Sequence, residues 1–128
     1  MPFLSSLPRT ALTAALLSSL LACQGAEAPD AAVCRDVLQR LCLARACEGT
    51  PASVPQTDDC EATLLARTGC GSEDFSFGSP APSRERMLDC RSLLVRETGI
   101  SPGVAPTCAD VAETFTQCPE LGTFVEAR

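Results

Sequence analysis

Apolar residues recur along this chain with helical spacing in four separate stretches. The first covers residues 33–46, and residues 58–68, 84–98 and 108–118 repeat the pattern. An apolar residue every three or four positions forms one buried stripe on a helix, with polar residues on the opposite face. The pattern predicts an all-α fold, a small bundle of about four helices.

The first helix shows this stripe most clearly. Its polar positions, which include Asp36 and Arg40, are predicted to face solvent. Its apolar positions follow i, i+3, i+4, i+7 and i+8, and they are Cys34, Val37, Leu38, Leu41 and Cys42. Two of the cysteines are therefore expected to point into the protein.

Capping residues delimit the predicted helices. Asp58 and Glu61 stand three apart, as a capping box requires, and Thr107 and Asp110 form a second pair of this kind. Gly69 follows the second helix and suits the left-handed position that ends many helices. Further start and stop signals are Gly49, Pro82, Ser83, Gly99 and Pro119.

Two segments have no clear period. Residues 72–82 contain Phe75 and Phe77 beside the acidic pair Glu73 and Asp74. These phenylalanines either form a partner-binding tip or fold back over the core, and the scarcity of other aromatic residues favours the second. The tail, residues 120–128, either pads the core or frays.

The start of the chain is a targeting segment. Residues 11–22 carry no charge, and twelve helical residues rise only about 18 Å, less than a bilayer core of about 30 Å. The run Leu20-Leu21-Ala22-Cys23 resembles the lipobox of bacterial lipoproteins, although Ala22 would also end an ordinary secretory signal.

The lipobox resemblance implies a domain organisation. Residues 1–22 would be a cleaved lipoprotein signal peptide, and Cys23 would carry fatty acyl chains such as palmitate. Residues 23–32 would be the anchor and a flexible tether, and residues 33–128 the Cys-rich helical domain. An aspartate after the lipidated cysteine resembles an inner-membrane retention signal, so Gln24 implies the outer membrane if the bacterium is Gram-negative.

The chain contains nine cysteines, an odd number. If Cys23 takes the lipid, eight remain for four disulfides, which persist in an oxidising compartment outside the cytoplasm. These eight are Cys34, Cys42, Cys47, Cys60, Cys70, Cys90, Cys108 and Cys118. Antiparallel hairpins predict the pairs Cys34–Cys70, Cys47–Cys60 and Cys90–Cys118, which leaves Cys42 with Cys108.

Missing residue types exclude several functions. The chain has no His and no Lys, so it lacks a Ser/His or Cys/His pair, imidazole metal ligands and a phosphate-binding lysine. No Cys-x-x-Cys motif indicates a redox or zinc site, and the closest spacing is Cys42 to Cys47. The adjacent carboxylates Asp58 and Asp59 point apart on a helix. We therefore expect no catalytic residues, no metal and no cofactor.

Charge also limits the partners. The net charge is −6 at pH 7, and removing Arg9 with the signal leaves nine basic residues against sixteen acids, a net charge of −7. An acidic domain is a poor ligand for nucleic acid or for anionic lipid. The sequence therefore predicts an envelope lipoprotein held by the lipid on Cys23, with a structural or interaction role toward an envelope or extracellular protein. The alternatives are a protease inhibitor built on residues 51–55 or 79–82, a small-ligand binder and, last, a thiol oxidoreductase.

Overall fold

The computed structural model of the protein describes residues 28–126. Within that range it is all-helical, and five helices are joined by irregular loops. They are α1 (Asp30–Leu43), α2 (Cys60–Thr68), α3 (Arg84–Leu94), α4 (Cys108–Gln117) and α5 (Pro119–Val125). The prediction of a small, disulfide-rich helical bundle is confirmed, with one helix more than expected.

Helix α1 begins and ends three residues earlier than predicted. Pro29 occupies the N-cap position, and the carboxylate of Asp30 accepts hydrogen bonds from the Phe77 backbone N–H at 2.9 Å and from Arg84. These contacts start the helix at Asp30, so residues 30–32 are helical and are not part of a flexible tether. The helix ends at Leu43 and the chain turns before it reaches Cys47.

The capping predictions have mixed outcomes. The Thr107 hydroxyl accepts from the Asp110 backbone N–H at 3.1 Å, and Gly69 adopts the left-handed conformation, with φ +82°, at the end of α2. The capping box at Asp58 is wrong. Helix α2 begins at Cys60, so Asp59 and not Asp58 occupies the N-cap position, and no side chain caps the helix. The Asp58 carboxylate binds Arg45 at 3.2 Å.

The tail and the phenylalanine loop both serve the core. Residues 119–125 form α5, which buries Leu121, Phe124 and Val125, and Pro119 occupies the first turn of that helix. The rings of Phe75 and Phe77 meet edge to face at 5.1 Å, and both pack against the core. The prediction that these two phenylalanines fold back is therefore confirmed.

The core is aliphatic and lies between the helices. The predicted stripe of α1 is buried throughout, and so are Met87, Cys90 and Leu94 on the inner face of α3. The largest apolar side chains with no solvent exposure are Leu38, Leu41, Leu64, Met87, Leu94 and Leu121. Burying an aliphatic side chain of this size contributes about 1.5–3 kcal/mol.

Four disulfides join the eight predicted cysteines. The pairs Cys34–Cys70 and Cys90–Cys118 are as predicted, whereas the predicted pairs Cys47–Cys60 and Cys42–Cys108 are wrong. Cys42 bonds to Cys60 with their Cα atoms 5.8 Å apart, and Cys47 bonds to Cys108 with theirs 5.2 Å apart. The prediction extended α1 to residue 46, but its end at Leu43 places Cys42 beside α2 and frees Cys47 to reach α4.

Disulfides and ion pairs give the helix directions. The bonds Cys34–Cys70 and Cys42–Cys60 make α1 and α2 antiparallel. Arg84 binds Asp30 and Arg91 binds Asp36, so α3 runs parallel to α1. We call the end of the bundle where α1 begins the proximal end, and the end where α1 terminates the distal end.

Candidate functional site

A buried arginine organises the distal half of the molecule. Arg40 was predicted to face solvent, but only 1% of its surface is exposed. Its Nε donates to the Asp36 carboxylate at 3.1 Å and its Nη2 to the Ile100 carbonyl at 2.9 Å. Longer contacts join the guanidinium to the carbonyls of Ser101 at 3.4 Å and Val104 at 3.5 Å. The Arg40 side chain thus fixes the backbone of the loop that follows α3, residues 99–106, from the interior of the protein.

The Asp36 carboxylate balances the charge of this arginine. It accepts a second bond from Arg91 Nε at 2.5 Å, so one acid serves two guanidinium groups on neighbouring helices. Partial burial raises the pKa of Asp36, but the hydrogen bonds and charges of Arg40 and Arg91 outweigh this effect. The pKa of Asp36 therefore lies below its ordinary value, and the group stays ionised at neutral pH.

A fully buried acid, Asp110, secures both ends of the same loop. Asp110 has no solvent exposure; its carboxylate accepts from Arg96 Nη2 at 2.6 Å and from the Glu97 backbone N–H at 3.0 Å. Asp110 lies just after the loop, whereas Arg96 and Glu97 lie just before it. The disulfide Cys47–Cys108 adds a covalent link at the loop's far end. Residues 99–106 are consequently held at both ends and, by Arg40, in the middle.

The clamped loop, residues 99–106, carries exposed apolar side chains. Ile100 is 67% exposed and Val104 is 38% exposed, and Leu43, three residues beyond Arg40 on α1, is 43% exposed. Among residues 28–126 these are the three large hydrophobic side chains that remain exposed. We call Leu43, Ile100 and Val104 the distal patch. An exposed apolar side chain on an ordered backbone loses little conformational entropy when a partner binds it.

The clamped loop does not have the geometry that a protease inhibitor needs. A loop bound like a substrate must offer the carbonyl of its primary residue to the oxyanion hole of the protease. The carbonyls of Ile100 and Ser101 instead point inward to Arg40. Of the two segments proposed for an inhibitor, residues 51–55 contain Val54, which has no solvent exposure, and residues 79–82 line a groove.

That groove lies at the proximal end and has a volume of about 670 Å³. We call it the proximal groove. Phe75 and Phe124, whose ring centroids are 6.3 Å apart, contribute apolar walls. Residues 66–69 of α2 and its C-cap form one side, and residues 78–82 form the other. The groove is open to solvent along one side.

The other predicted site residues are spread over the molecule. Cys23 and the signal segment lie outside the described residues. The Asp59 carboxylate accepts from the Thr57 hydroxyl, and Glu73 and Asp74 are exposed in the loop before Phe75. The structure therefore does not bring these carboxylates together into a shared site.

One cluster has the composition of a metal site. Ligand atoms of Cys90, Cys118 and Glu120 lie within 4.8 Å of one another. The two sulfur atoms are bonded to each other, and the Glu120 carboxylate binds Arg86 at 2.5 Å. Zinc is bound by thiolates, which a disulfide does not supply. The Glu120 backbone N–H and the Arg86 guanidinium hold the pKa of Glu120 below its usual range, although some desolvation opposes them.

Sequence reasoning missed the two buried ionic residues that shape the distal end. Arg40 follows Asp36 by four positions, the spacing of a helical ion pair, but such pairs are usually on the surface. Asp110 was recognised only as a capping residue. Its burial depends on α3 and α4 lying side by side, and nothing in the local pattern of α4 records that contact.

Comparison with known proteins does not assign a family to this chain, so the distal patch and the proximal groove are the main guide to its function. No protein-family model, no curated protein sequence and no solved structure matches the chain. Within residues 28–126, no helix is both long and apolar enough to cross a bilayer. The four disulfides indicate an oxidising environment outside the cytoplasm.

Proposed function

We propose that this protein is a non-catalytic interaction module, anchored to the bacterial cell envelope by acyl chains on Cys23. Its distal patch would contact a protein partner of the envelope or the extracellular space. One observation carries the proposal. The distal patch lies at the opposite end of the bundle from Ala28, where the described chain begins.

Cysteine pairing supports the anchor. The eight cysteines of residues 28–126 bond to one another, so none of them is left as a partner for Cys23. A ninth cysteine in an exported chain needs another fate, and the residues before it resemble a lipobox. Acylation of Cys23 accounts for both facts.

Bundle geometry supports the orientation. Ala28 is held at the proximal end, because its carbonyl accepts from Arg84 Nη2 at 2.6 Å. Helix α1 then extends away from this point for 14 residues, a rise of about 21 Å, and Leu43 is its last residue. A lipid attached five residues before Ala28 would therefore hold the proximal end near the bilayer and direct the distal patch into the aqueous space.

The size of the distal patch limits the kind of partner. A stable dimer of two identical surfaces buries about 800 Å² on each subunit, which three side chains cannot provide. A partner with a pocket for one aliphatic side chain suits the patch better, since Ile100 projects from a backbone that is already ordered. Binding then costs little conformational entropy, and one anchor residue supplies much of the affinity. The acidic charge of the domain weighs against a nucleic-acid partner.

Intact mass spectrometry of the membrane-extracted protein tests the anchor. We expect a chain that begins at Cys23 and carries acyl groups. Thiol alkylation should add nothing before reduction and eight labels after it. An unacylated Cys23 would refute the lipid anchor, and free thiols in the native protein would revive a redox role.

Site-specific photocrosslinking in living cells tests the contact surface. A photoreactive amino acid replaces Ile100 in the full-length protein, and in a matched control it replaces Glu85, which is exposed at the start of α3. We expect one discrete protein adduct from position 100, none from position 85, and loss of the adduct when Val104→Ser is added. Equal adducts at both positions, or none at position 100, would refute the assignment. An adduct to a peptidase would favour the inhibitor alternative.

A further inference from the structure

The proximal groove lies where the anchor segment joins the domain. Asp30 binds the Phe77 backbone N–H, and Arg84 binds both Asp30 and the Ala28 carbonyl. Phe77 lies between Ser76 and Gly78, which both line the groove. Ala28, the first residue that the structure describes, therefore lies beside one wall of the open groove.

Three of the polar side chains that line this groove have partners within the protein. Arg67 Nη1 donates to the Ser53 carbonyl at 2.7 Å, and the Thr68 hydroxyl donates to the Leu64 carbonyl at 2.7 Å. Glu120 is bound to Arg86. On the opposite wall, the Gly78 backbone N–H donates to the Pro82 carbonyl at 3.0 Å.

An extended peptide needs unpaired donors and acceptors along its binding site. Most of the accessible lining of the groove is apolar, so its surface suits an apolar chain without hydrogen-bonding groups. Phe75, Ala81 and Phe124 supply apolar contacts of this kind.

We propose that the proximal groove binds one acyl chain of the protein's own lipidated Cys23. This inference rests on the proposed lipid anchor. Cys23 precedes Ala28 by five residues, and five extended residues span at most about 17 Å, enough to bring the modified cysteine to the groove beside Phe77. A tether this short gives the attached chain an effective concentration in the millimolar range at the groove.

A consequence is that the domain lies close to the bilayer. With one acyl chain in the groove and the others in the membrane, residues 24–27 do not act as a spacer. The proximal end then rests at the membrane surface, and the distal patch stands about 21 Å away along α1.

Photoreactive lipid labelling tests this inference on the complete lipoprotein. Cells that express the protein are fed a palmitate analogue with a diazirine in its chain, membranes are irradiated, and crosslinked peptides are mapped by mass spectrometry. We expect crosslinks from the Cys23 acyl chain to residues 66–69, 75–82 or 120–124.

Two exposed alanines on α2 provide a matched pair of variants. Ala66 lines the groove, whereas Ala62, one turn earlier, does not. Ala66→Arg places a charged side chain in the groove and should reduce the intramolecular crosslink by at least about tenfold, because an acyl chain does not compensate a desolvated charge. Ala62→Arg should leave the crosslink within about twofold of the wild type. Both variants should retain four disulfides by alkylation.

The outcomes separate this inference from the proposed function. Label on Cys23 without groove crosslinks would refute acyl binding and leave the anchor intact. Absence of label on Cys23 would refute both. Groove peptides crosslinked to free phospholipid, recognised by the mass of the adduct, would show a lipid-binding groove with a different occupant and overturn the assignment to Cys23. Equal crosslinking in the Ala66→Arg and Ala62→Arg variants would also overturn it.

Discussion

Arg40 is the residue whose removal should most change the distal end. The substitution Arg40→Met keeps an unbranched apolar stem of similar length and removes the guanidinium. The carbonyls of Ile100, Ser101 and Val104 then lose their donor, and Asp36 loses one of its two partners. We expect a less stable protein with a mobile loop at residues 99–106.

The size of the effect follows from the individual contacts. The 2.9 Å bond to the Ile100 carbonyl involves a charged donor, and such bonds contribute about 1.5–3 kcal/mol. The contacts to Ser101 and Val104 are long, at 3.4 and 3.5 Å, and add little. Asp36 is 23% exposed and keeps Arg91, so losing Arg40 costs it only about 1 kcal/mol. We therefore expect the free energy of unfolding to fall by about 3 kcal/mol.

Circular dichroism in the far ultraviolet, followed during guanidinium denaturation under non-reducing conditions, measures this change. The chain contains no Trp or Tyr, which rules out the usual fluorescence signal. A loss of 3 kcal/mol should lower the melting temperature by roughly 12–24 °C in a domain of this size. Arg45→Met is the matched control. Arg45 is about one-third exposed, pairs with a fully exposed Asp58 and donates to the Cys42 carbonyl at 3.1 Å, so its removal should cost less than that of Arg40, about 1 kcal/mol.

Limited proteolysis reports on the loop itself. An elastase-type protease, which prefers small aliphatic residues, should cut the Arg40→Met variant near Ile100 or Val104 faster than the wild type. An Arg40→Met protein within about 0.5 kcal/mol of the wild type, with unchanged cleavage, would show that the arginine does not hold the loop.

Two further predictions concern Asp110 and Asp36, the acids that bind arginines at the distal end. Asp110→Asn weakens the bonds from Arg96 and the Glu97 N–H and should lower the free energy of unfolding by about 2 kcal/mol. The exposed control Asp89→Asn should change the free energy of unfolding by less than about 0.5 kcal/mol. Equal effects of the two variants in denaturant titrations would contradict the role assigned to Asp110. The pKa of Asp36 is lower in the folded protein than its ordinary value of 3.8, so its stabilisation is present above that value and is lost as pH falls through the folded pKa. The stability difference between the wild type and Asp36→Asn should therefore narrow below about pH 4, and a difference that is constant with pH would contradict it.

Local pattern was a good guide to the helices and the core. Cys34, Val37 and Leu38 lie on one stripe of α1, and the structure buries all three. Gly69 and Thr107 delimit their helices as expected, because capping involves atoms only a few residues apart. Such features depend on the chain's immediate neighbourhood, which the order of residues contains directly.

Disulfide pairing shows where this reasoning stops. The hairpin argument placed Cys34 with Cys70 correctly, but it exchanged the partners of Cys42 and Cys47. The predicted end of α1 was three residues too late. In the structure Cys42 is the second-last residue of α1, and Cys47 lies four residues beyond the end of the helix. Helix ends are the least certain feature of any local pattern, and a bridge depends on their position to within a few ångströms.

By itself, the sequence determined the all-helical class, the buried stripes, the eight disulfide-bonded cysteines and the lipobox-like segment, because each depends on residue type or on short spacing. Tertiary structure alone decided that Arg40 is buried beneath residues 99–106 and that Asp110, on α4, is buried against the residues that follow α3. It also decided that the distal patch and the proximal groove lie at opposite ends of the bundle. These features arise where segments about 60 residues apart meet, as Arg40 and Ile100 do. A charged residue is buried when distant groups compensate its desolvation, and local sequence does not reveal those groups.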